Sequence, residues 1–262
     1  LFGIDTNQIQ AFAGSTPLPI IDYLNALEAR TFHAWRAEMG WSRNSVDHLL
    51  TPSRGMQQRV WLEATLPGST VEYFKLNYNI SKYWPMSRHL VLNTRAELGY
   101  GDNYDDAVTR DLCPTPTGDC APGQTPARTI TADGLPFFEN FYAGGVRSVR
   151  GFRDNTLGPR QAPALGFEPQ PVGGAVKTTG SLEMYFPTLL DTPAARASAF
   201  VDFGNVFEDV DAFDAGELRA STGVALMWRS PMGPISISYA YPLRKEDDDE
   251  LERLQFTFGG SF

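Results

Sequence analysis

The sequence has few of the residues from which metal sites and disulfide frameworks are built: of 262 residues, two are cysteines and three are histidines. His33, His48 and His89 lack the spacing of metal ligands, so we expect no metal site and interpret them as surface or lumen residues. The formal net charge is −9, which argues against nucleic-acid binding. No G-x-S-x-G motif and no phosphate-binding loop is present, so we expect neither an enzyme nor a bound cofactor.

Long apolar runs are also missing, because no stretch approaches 18 consecutive apolar residues. This excludes a transmembrane helix. It does not exclude a membrane protein, since the strands of a membrane barrel alternate apolar and polar residues. The first residues, LFGIDTNQIQ, lack the charged and apolar regions of a signal peptide, and we expect the chain to be part of a longer protein.

The two cysteines, Cys113 and Cys120, lie close together in the stretch CPTPTGDC. This spacing, in a segment rich in Pro, Gly and Thr, favours a small disulfide-closed loop in an oxidising compartment. Two unpaired loop thiols are the alternative. A metal site is disfavoured, because no second Cys/His pair accompanies them.

Most of the chain shows a side-chain period of two, which is typical of β-strands. In residues 73–84, for example, Phe74, Leu76 and Tyr78 alternate with polar residues. The pattern predicts about nine strands, most of them 9 to 12 residues long; they lie near 32–43, 56–66, 73–84, 89–101, 176–186, 195–207, 218–228, 235–241 and 254–258. Strands of about 9 to 11 residues are long enough to cross a membrane when tilted, whereas soluble strands usually have about 5 to 6.

The connections between the predicted strands alternate in character. Compact, proline-bearing connections alternate with longer or acidic ones at 102–172, 208–217 and 244–253, and only the short segment 67–72 breaks the rule. Short turns on one side and long loops on the other are typical of an outer-membrane barrel.

Periodicity alone leaves open whether the apolar face contacts lipid or the core of a soluble β-sandwich. Two further features favour the membrane. Aromatic residues near strand ends suit the aromatic belts at a membrane surface; they are Tyr73, Trp84, Tyr100, Trp228 and Tyr241. Charged residues on the other face suit a water-filled lumen; they are Arg59, Glu63, Lys75, Arg95, Glu97, Lys177, Glu183 and Asp202. Because an open sheet edge cannot lie in hydrocarbon, we expect further strands to precede this chain.

One motif carries a specific resemblance. The run PFFENFYAGGVRSVRGF at 136–152, followed by RDNTLGPR, resembles the sixth extracellular loop of the BamA family of outer-membrane assembly factors. The resemblance covers the chain from about residue 32 onward, including WRSPMGPISISYAYPL and the last strand. It implies an all-β fold, the C-terminal portion of a 16-stranded antiparallel transmembrane barrel. Residues 1–31 would be the end of a preceding strand and its extracellular loop, and the N-terminal POTRA domains and first strands would be absent. One departure is that the cysteine pair precedes the VRGF motif here, whereas in the best-known relatives a cysteine pair follows it.

The resemblance also implies a role for the VRGF residues. The segment 102–172 would fold back into the lumen, where Arg150 would bind Glu183 and Asp202. Gly151 would allow a turn of the backbone or its close approach to a neighbouring segment. Phe152 would pack on the inner wall of the barrel, and Val149 is the first residue of the motif. Alternation independently places both acids on the polar face. Without the resemblance, an ordinary exposed loop is the simpler interpretation of so short a motif.

The last strand, RLQFTFGGSF, has aromatic residues at alternate positions and at its terminus. In the family this strand pairs weakly with the first strand of the barrel, and the seam between the two strands can open. A strand of a client, that is, of an outer-membrane protein being folded, can then pair with the exposed edge of the last strand. The corresponding residues are Phe256, Phe258, Gly259, Gly260 and Phe262. The two glycines interrupt the row of side chains and permit a kink.

The resemblance therefore implies a central component of the machinery that folds and inserts outer-membrane proteins, in the outer membrane of a Gram-negative bacterium and without nucleotide hydrolysis. Its partners would be unfolded client barrels, accessory assembly lipoproteins, and membrane lipids with lipopolysaccharide. The alternative is a transporter of the same superfamily, for two-partner secretion or autotransporter assembly; a passive porin or outer-membrane enzyme is a third possibility. We interpret the acidic run EDDDE at 246–250 as a solvated loop, with cation-bridged contact to lipopolysaccharide as the alternative.

Overall fold

The structure, a computed structural model, describes residues 2–8, 16–48, 51–113, 120, 124–163, 167–187, 189–190, 192, 194–230 and 232–258. Its main strands are β1 Phe2–Gln8, β2 Thr31–Asn44, β3 Gly55–Thr65, β4 Tyr73–Ser87, β5 Leu90–Asn103, β11 Val176–Phe186, β12 Ala195–Phe207, β13 Arg219–Ser230, β14 Gly233–Arg244 and β16 Leu254–Phe258. The remaining elements are helix α1 Leu18–Ala26, the short strands β6 Val108–Leu112, β7 Arg128–Ala132, β8 Gly151–Phe152, β9 Arg160–Gln161, β10 Gln170–Pro171 and β15 Leu251–Glu252, and two 3-10 helices, Phe137–Glu139 and Ala215–Glu217.

The ten main strands form one antiparallel sheet in the order β1-β2-β3-β4-β5-β11-β12-β13-β14-β16. Every neighbouring pair except β5 and β11, and β14 and β16, is consecutive along the chain. The predicted all-β fold and the nine predicted strands are confirmed, and β1 is a tenth strand at the edge of the sheet. Helix α1 was not predicted. None of the helices in the described parts of the chain is both long enough and apolar enough to cross a membrane.

The two faces of the sheet differ in chemistry as the period of two predicts. Large apolar side chains stand exposed on the outer face; they include Trp35, Leu76, Leu98, Leu182, Val224, Leu226, Trp228, Ile237 and Phe256. Buried polar side chains occupy the inner face, among them Glu63, Asn93, Ser181, Glu183, Asp202 and Ser238. An apolar outer band with a polar interior is the pattern of a barrel in a lipid bilayer.

Tyr73 does not belong to an aromatic belt on the outer face. Its side chain is buried, and its hydroxyl donates a hydrogen bond of 2.8 Å to Glu63 on the inner face. The alternation with Lys75 already placed Tyr73 inward, so its aromatic character misled the interpretation. Trp84, Trp228 and Tyr241 are exposed, as the belt requires.

The connections fall into a loop end and a turn end of the sheet. The loop end carries residues 104–175, here called the long loop, together with residues 208–218 and 245–253. Part of the long loop is a hairpin of β6 and β7, which was not predicted. Helix α1 packs on it through Ala26, Ile130 and Ala132, so two connections share one small apolar core above the inner face.

Candidate functional site

The VRGF segment, residues 149–152, is held in a tight turn within the long loop. The backbone N–H of Gly145 donates to the carbonyl oxygens of Val149, at 3.1 Å, and Phe152, at 3.0 Å. Gly151 has a φ of +93°, a left-handed conformation that glycine adopts without steric cost. The glycines of this loop therefore let the chain reverse so that Arg150 faces the sheet.

Two apolar side chains anchor the turn on either side of Arg150. Val149 and Phe152 are fully buried and form a cluster with Ala143, Leu157 and Val206. Val206 belongs to β12, so this cluster joins the loop to the inner wall. Burying side chains of this size contributes about 1.5–3 kcal/mol each, which favours the docked position of the loop.

Arg150 binds Asp202 with the planar fork of its guanidinium group. Its Nε lies 2.7 Å from Oδ2 and its Nη2 lies 2.9 Å from Oδ1 of Asp202. The backbone N–H of Arg150 donates to the same Oδ2 at 3.1 Å. Asp202 also accepts a bond of 2.6 Å from the hydroxyl of Ser181. A two-bond arginine–carboxylate pair is among the strongest hydrogen-bonded arrangements in proteins.

Glu183 binds the other side of the same guanidinium group. Its Oε1 lies 3.2 Å from Nη1 and its Oε2 lies 3.3 Å from Nη2 of Arg150. Ser198 donates to Glu183 at 2.6 Å, and Arg95 lies 3.7 Å from it. The face of the guanidinium group stacks on Phe200, with Cζ 3.4 Å from the ring centroid. Arg150 and Arg95 thus balance the charges of Asp202 and Glu183, and each of the four carboxylate oxygens accepts at least one hydrogen bond.

This cluster is almost fully enclosed. Arg150, Glu183 and Asp202 are 5%, 4% and 1% exposed. Burial by itself lowers the pKa of the Arg150 guanidinium, but its bonds to and attraction by Asp202 and Glu183 outweigh that effect and raise the pKa above its ordinary value. Arg150 therefore stays charged, and its charge is matched only while the loop is docked.

We expect Gly151→Ala to loosen the loop. Apart from the strained φ of +93°, an added Cβ would lie 2.9 Å from the Cβ of Ala240 on β14. Together these effects should cost about 1–3 kcal/mol of unfolding free energy, measured in the full-length protein by denaturant titration in detergent. Gly68→Ala is the matched control, because its φ is +96° and nothing lies within 4 Å of its added Cβ. Equal losses in both variants would contradict a role for close contact with β14.

Glu139 anchors the long loop at a second place on the inner face. This residue, in the FFENFYAGG part of the motif, lies 3.0 Å from the Nζ of Lys75 on β4 and 3.7 Å from Arg36 on β2. Arg36 also binds Glu63 at 3.1 Å. The loop therefore spans the inner face from β2 to β12. Sequence reasoning missed Glu139, although it placed its partner Lys75 inward.

The acidic run 246–250 is not simply solvated. Glu250 pairs with Arg153, at 2.8 Å, and with Arg160 of the long loop. Asp249 pairs with Arg219 at 3.0 Å. The hydrogen bond from Arg153 is the largest cause that holds the pKa of Glu250 below its ordinary value. The short strand β15, at the end of the connection 245–253, pairs with β8 of the long loop. The connection and the long loop are therefore joined by both ion pairs and backbone pairing.

The remaining predicted site residues lie apart from the Arg150 cluster. Phe256 and Phe258 are 61% and 51% exposed on the outer face of β16, which pairs with β14 over five residue pairs. Gly259, Gly260 and Phe262 lie outside the described residues. Cys113 and Cys120 form a disulfide beyond β6. Within the described ranges, no group of three or more His, Cys, Asp or Glu residues is arranged to hold a metal ion.

Comparisons with known proteins agree with this geometry. Residues 2–262 match the Omp85 superfamily domain. Outer membrane protein assembly factor BamA of Neisseria meningitidis serogroup B is 34% identical over 260 residues, which cover 88% of this chain and 29% of that protein. The BamA of Nitratidesulfovibrio vulgaris is 32% identical over 146 residues, which cover 53% of this chain and 18% of that protein. The chain thus spans less than a third of the length of these relatives.

A solved structure shows the same fold. The crystal structure of BamA from Haemophilus ducreyi lacking POTRA domains 1–3 has a TM-score of 0.74 and 25% sequence identity, and the match covers 92% of this chain and 47% of that one. The matches support a barrel portion similar to that of BamA proteins, in the outer membrane of a Gram-negative bacterium. Because the superfamily domain matches nearly the whole chain, this chain belongs to the Omp85 superfamily.

Proposed function

We propose that the protein to which this chain belongs is an outer-membrane protein assembly factor, which folds and inserts client β-barrel proteins. The observation that carries the proposal is the VRGF segment docked through Arg150 onto Glu183 and Asp202. The names of the relatives support it, since the two described above are called outer membrane protein assembly factors. Neither name points to two-partner secretion or autotransporter assembly.

We propose the following division of the whole protein. This chain is the C-terminal part of a 16-stranded barrel, with residues 1–31 as a strand end and extracellular loop, and with POTRA domains and further strands preceding it. The Arg150 cluster acts as a latch that keeps the long loop in the lumen. The exposed edge of β16 forms one side of a seam at which client strands pair through main-chain hydrogen bonds.

Insertion would draw its free energy from the client itself. A client strand that pairs at the seam satisfies its backbone groups before it meets hydrocarbon, and burial of its apolar face in lipid then drives insertion. Local thinning of the bilayer beside a short apolar band would lower the barrier. We therefore propose that no nucleotide is hydrolysed and that no residue performs covalent catalysis. Accessory lipoproteins and lipopolysaccharide are the further partners we propose.

Reconstitution of the full-length protein tests this function. We expect liposomes that contain it to fold a urea-unfolded client barrel at least about tenfold faster than empty liposomes, without added ATP, because a tenfold change in rate needs only about 1.4 kcal/mol off the barrier. Folding is followed by the resistance of the client to heat and protease. Liposomes that hold a passive porin at equal density are the control. Equal rates in the two preparations, or a requirement for ATP, would overturn the proposal.

A further inference from the structure

Gln255 joins the last strand directly to the VRGF segment. Its side-chain Nε2 donates to the carbonyl oxygen of Phe152 at 2.8 Å, and its Oε1 accepts from the backbone N–H of Gly151 at 3.2 Å. Gly151 can only donate and Phe152 can only accept at these atoms, so the amide group has one orientation. Gln255 is 3% exposed, and both of its bonds are therefore shielded from water.

Further contacts join the VRGF segment to the connection that precedes β16. Leu251 and Glu252 of β15 pair with Phe152 and Gly151 of β8. The backbone N–H of Arg153 donates to the carbonyl oxygen of Glu250 at 2.8 Å. The VRGF segment therefore pairs with the connection that leads into β16 and also holds the second residue of that strand.

Arg150 and Gln255 connect the VRGF segment to two different parts of the sheet. Arg150 fixes the segment to β11 and β12, whose carboxylates it binds. Gln255 and β15 fix the loop-end portion of β16 and its preceding connection to that segment. Within the sheet, β16 is held by its neighbour β14 through five residue pairs, from Tyr239–Leu254 to Ile235–Phe258.

We propose that Gln255 is a positioning residue that couples the docked long loop to the loop end of β16. While Arg150 is docked, Gln255 holds the start of the strand in place; when the loop leaves, that part of β16 loses its inner contacts. This inference rests on the proposed function, because β16 is the strand that would offer its edge to a client. Gln255 would keep that edge in a fixed register.

Hydrogen–deuterium exchange of the full-length protein in nanodiscs tests the coupling without any client. We expect Gln255→Leu, which removes both bonds, to raise exchange at least about fivefold in residues 149–153 and 251–258 together, and to leave β11 and β12 protected. Thr257→Val is the matched control, because Thr257 lies two residues further along the same strand and has no described bond to the loop. Faster exchange in only one segment, or in neither, would overturn the coupling.

Gln255→Glu separates positioning from a general loss of packing. Its ionised carboxylate would accept from Gly151 but could not donate to Phe152, whereas its protonated form could do both. Burial beside a carbonyl oxygen raises the pKa of a carboxyl group, so lowering the pH from about 8 to about 5 should restore protection in this variant after correction for intrinsic exchange. Protection that stays low at both pH values, while the wild type is unchanged, would contradict the proposal.

Client folding gives the second readout. We expect the Leu variant, and the Glu variant at about pH 8, to fold a client at least about threefold more slowly than wild type, and the Glu variant to recover at about pH 5. Normal folding by variants whose exchange has risen would overturn the positioning role while leaving the assembly function intact. Failure of the wild type to fold clients would instead overturn the proposed function, and the exchange experiment would still decide the coupling.

Discussion

Replacing Arg150 with alanine is expected to lower the unfolding free energy of the full-length protein by about 3–5 kcal/mol and to reduce client folding severely. The reason is that, among the described ion pairs, Asp202 would lose its pair with Arg150 while staying buried, and Glu183 would keep the longer pair with Arg95, at 3.7 Å. The barrel should keep its strands, since Arg150 contributes neither to the apolar outer face nor to the backbone hydrogen bonds between the main strands. Denaturant titration in detergent and the shift of the folded band on unheated gels measure the loss.

Arg153→Ala is the matched control for this experiment. Arg153 lies in the same loop and also forms an ion pair, with Glu250 at 2.8 Å, but its side chain is 66% exposed. Exposed pairs contribute about 0–1 kcal/mol, so this variant should stay close to wild type. Equal losses for Arg150→Ala and Arg153→Ala would contradict the latch.

A double-mutant cycle assigns the loss to the buried pair. Asp202→Asn alone leaves Arg150 facing an amide, and it should also destabilise the protein. The double variant Arg150→Ala with Asp202→Asn removes both charges, so we expect its loss to be smaller than the sum of the single losses by about 1–3 kcal/mol. Additive losses would show that Arg150 does not stabilise the loop through Asp202, and would leave its pair with Glu183 and its packing on Phe200 as the cause.

The strands could be predicted from sequence because a membrane barrel imposes the same chemical rule along every strand. Residues 195–207 were predicted as a strand and match β12 at both ends. The same rule placed Glu183 and Asp202 inward before any partner was known. Where the rule was set aside in favour of aromatic character, at Tyr73, the prediction was wrong.

The missed features depend on contacts between distant parts of the chain. Ala26 of α1 packs on Ile130 and Ala132, which lie more than a hundred residues away, so no local period could show that apolar face. Gln255 alternates with the outward-facing Phe256, so the period of two places it on the inner face, but its partner Gly151 is 104 residues distant and no local pattern indicates that contact. Similarly, only the resemblance of the motif indicated that Arg150 reaches the acids of β11 and β12.

Locking the seam is the second experiment with a large expected effect. We expect a disulfide between β16 and the first strand of the full-length protein to abolish client folding, because the edge of β16 could then no longer accept a client strand. Within the described part of the sheet, β14 covers one side of β16 and the other side is an edge. Cys113 and Cys120 should be replaced by serine beforehand, so that their disulfide cannot exchange with the new one.

Because a disulfide can be reduced, the experiment can distinguish loss of function caused by a closed seam from loss caused by damage to the protein. Reductant should restore client folding to the rate seen before oxidation. The control lock joins Leu226→Cys and Ile237→Cys, which face each other across β13 and β14, two strands connected by a short turn that need not separate. This control should fold clients normally when oxidised. If the seam lock were equally harmless, clients would have to enter elsewhere. The edge of β16 would then serve to close the barrel and would not bind client strands.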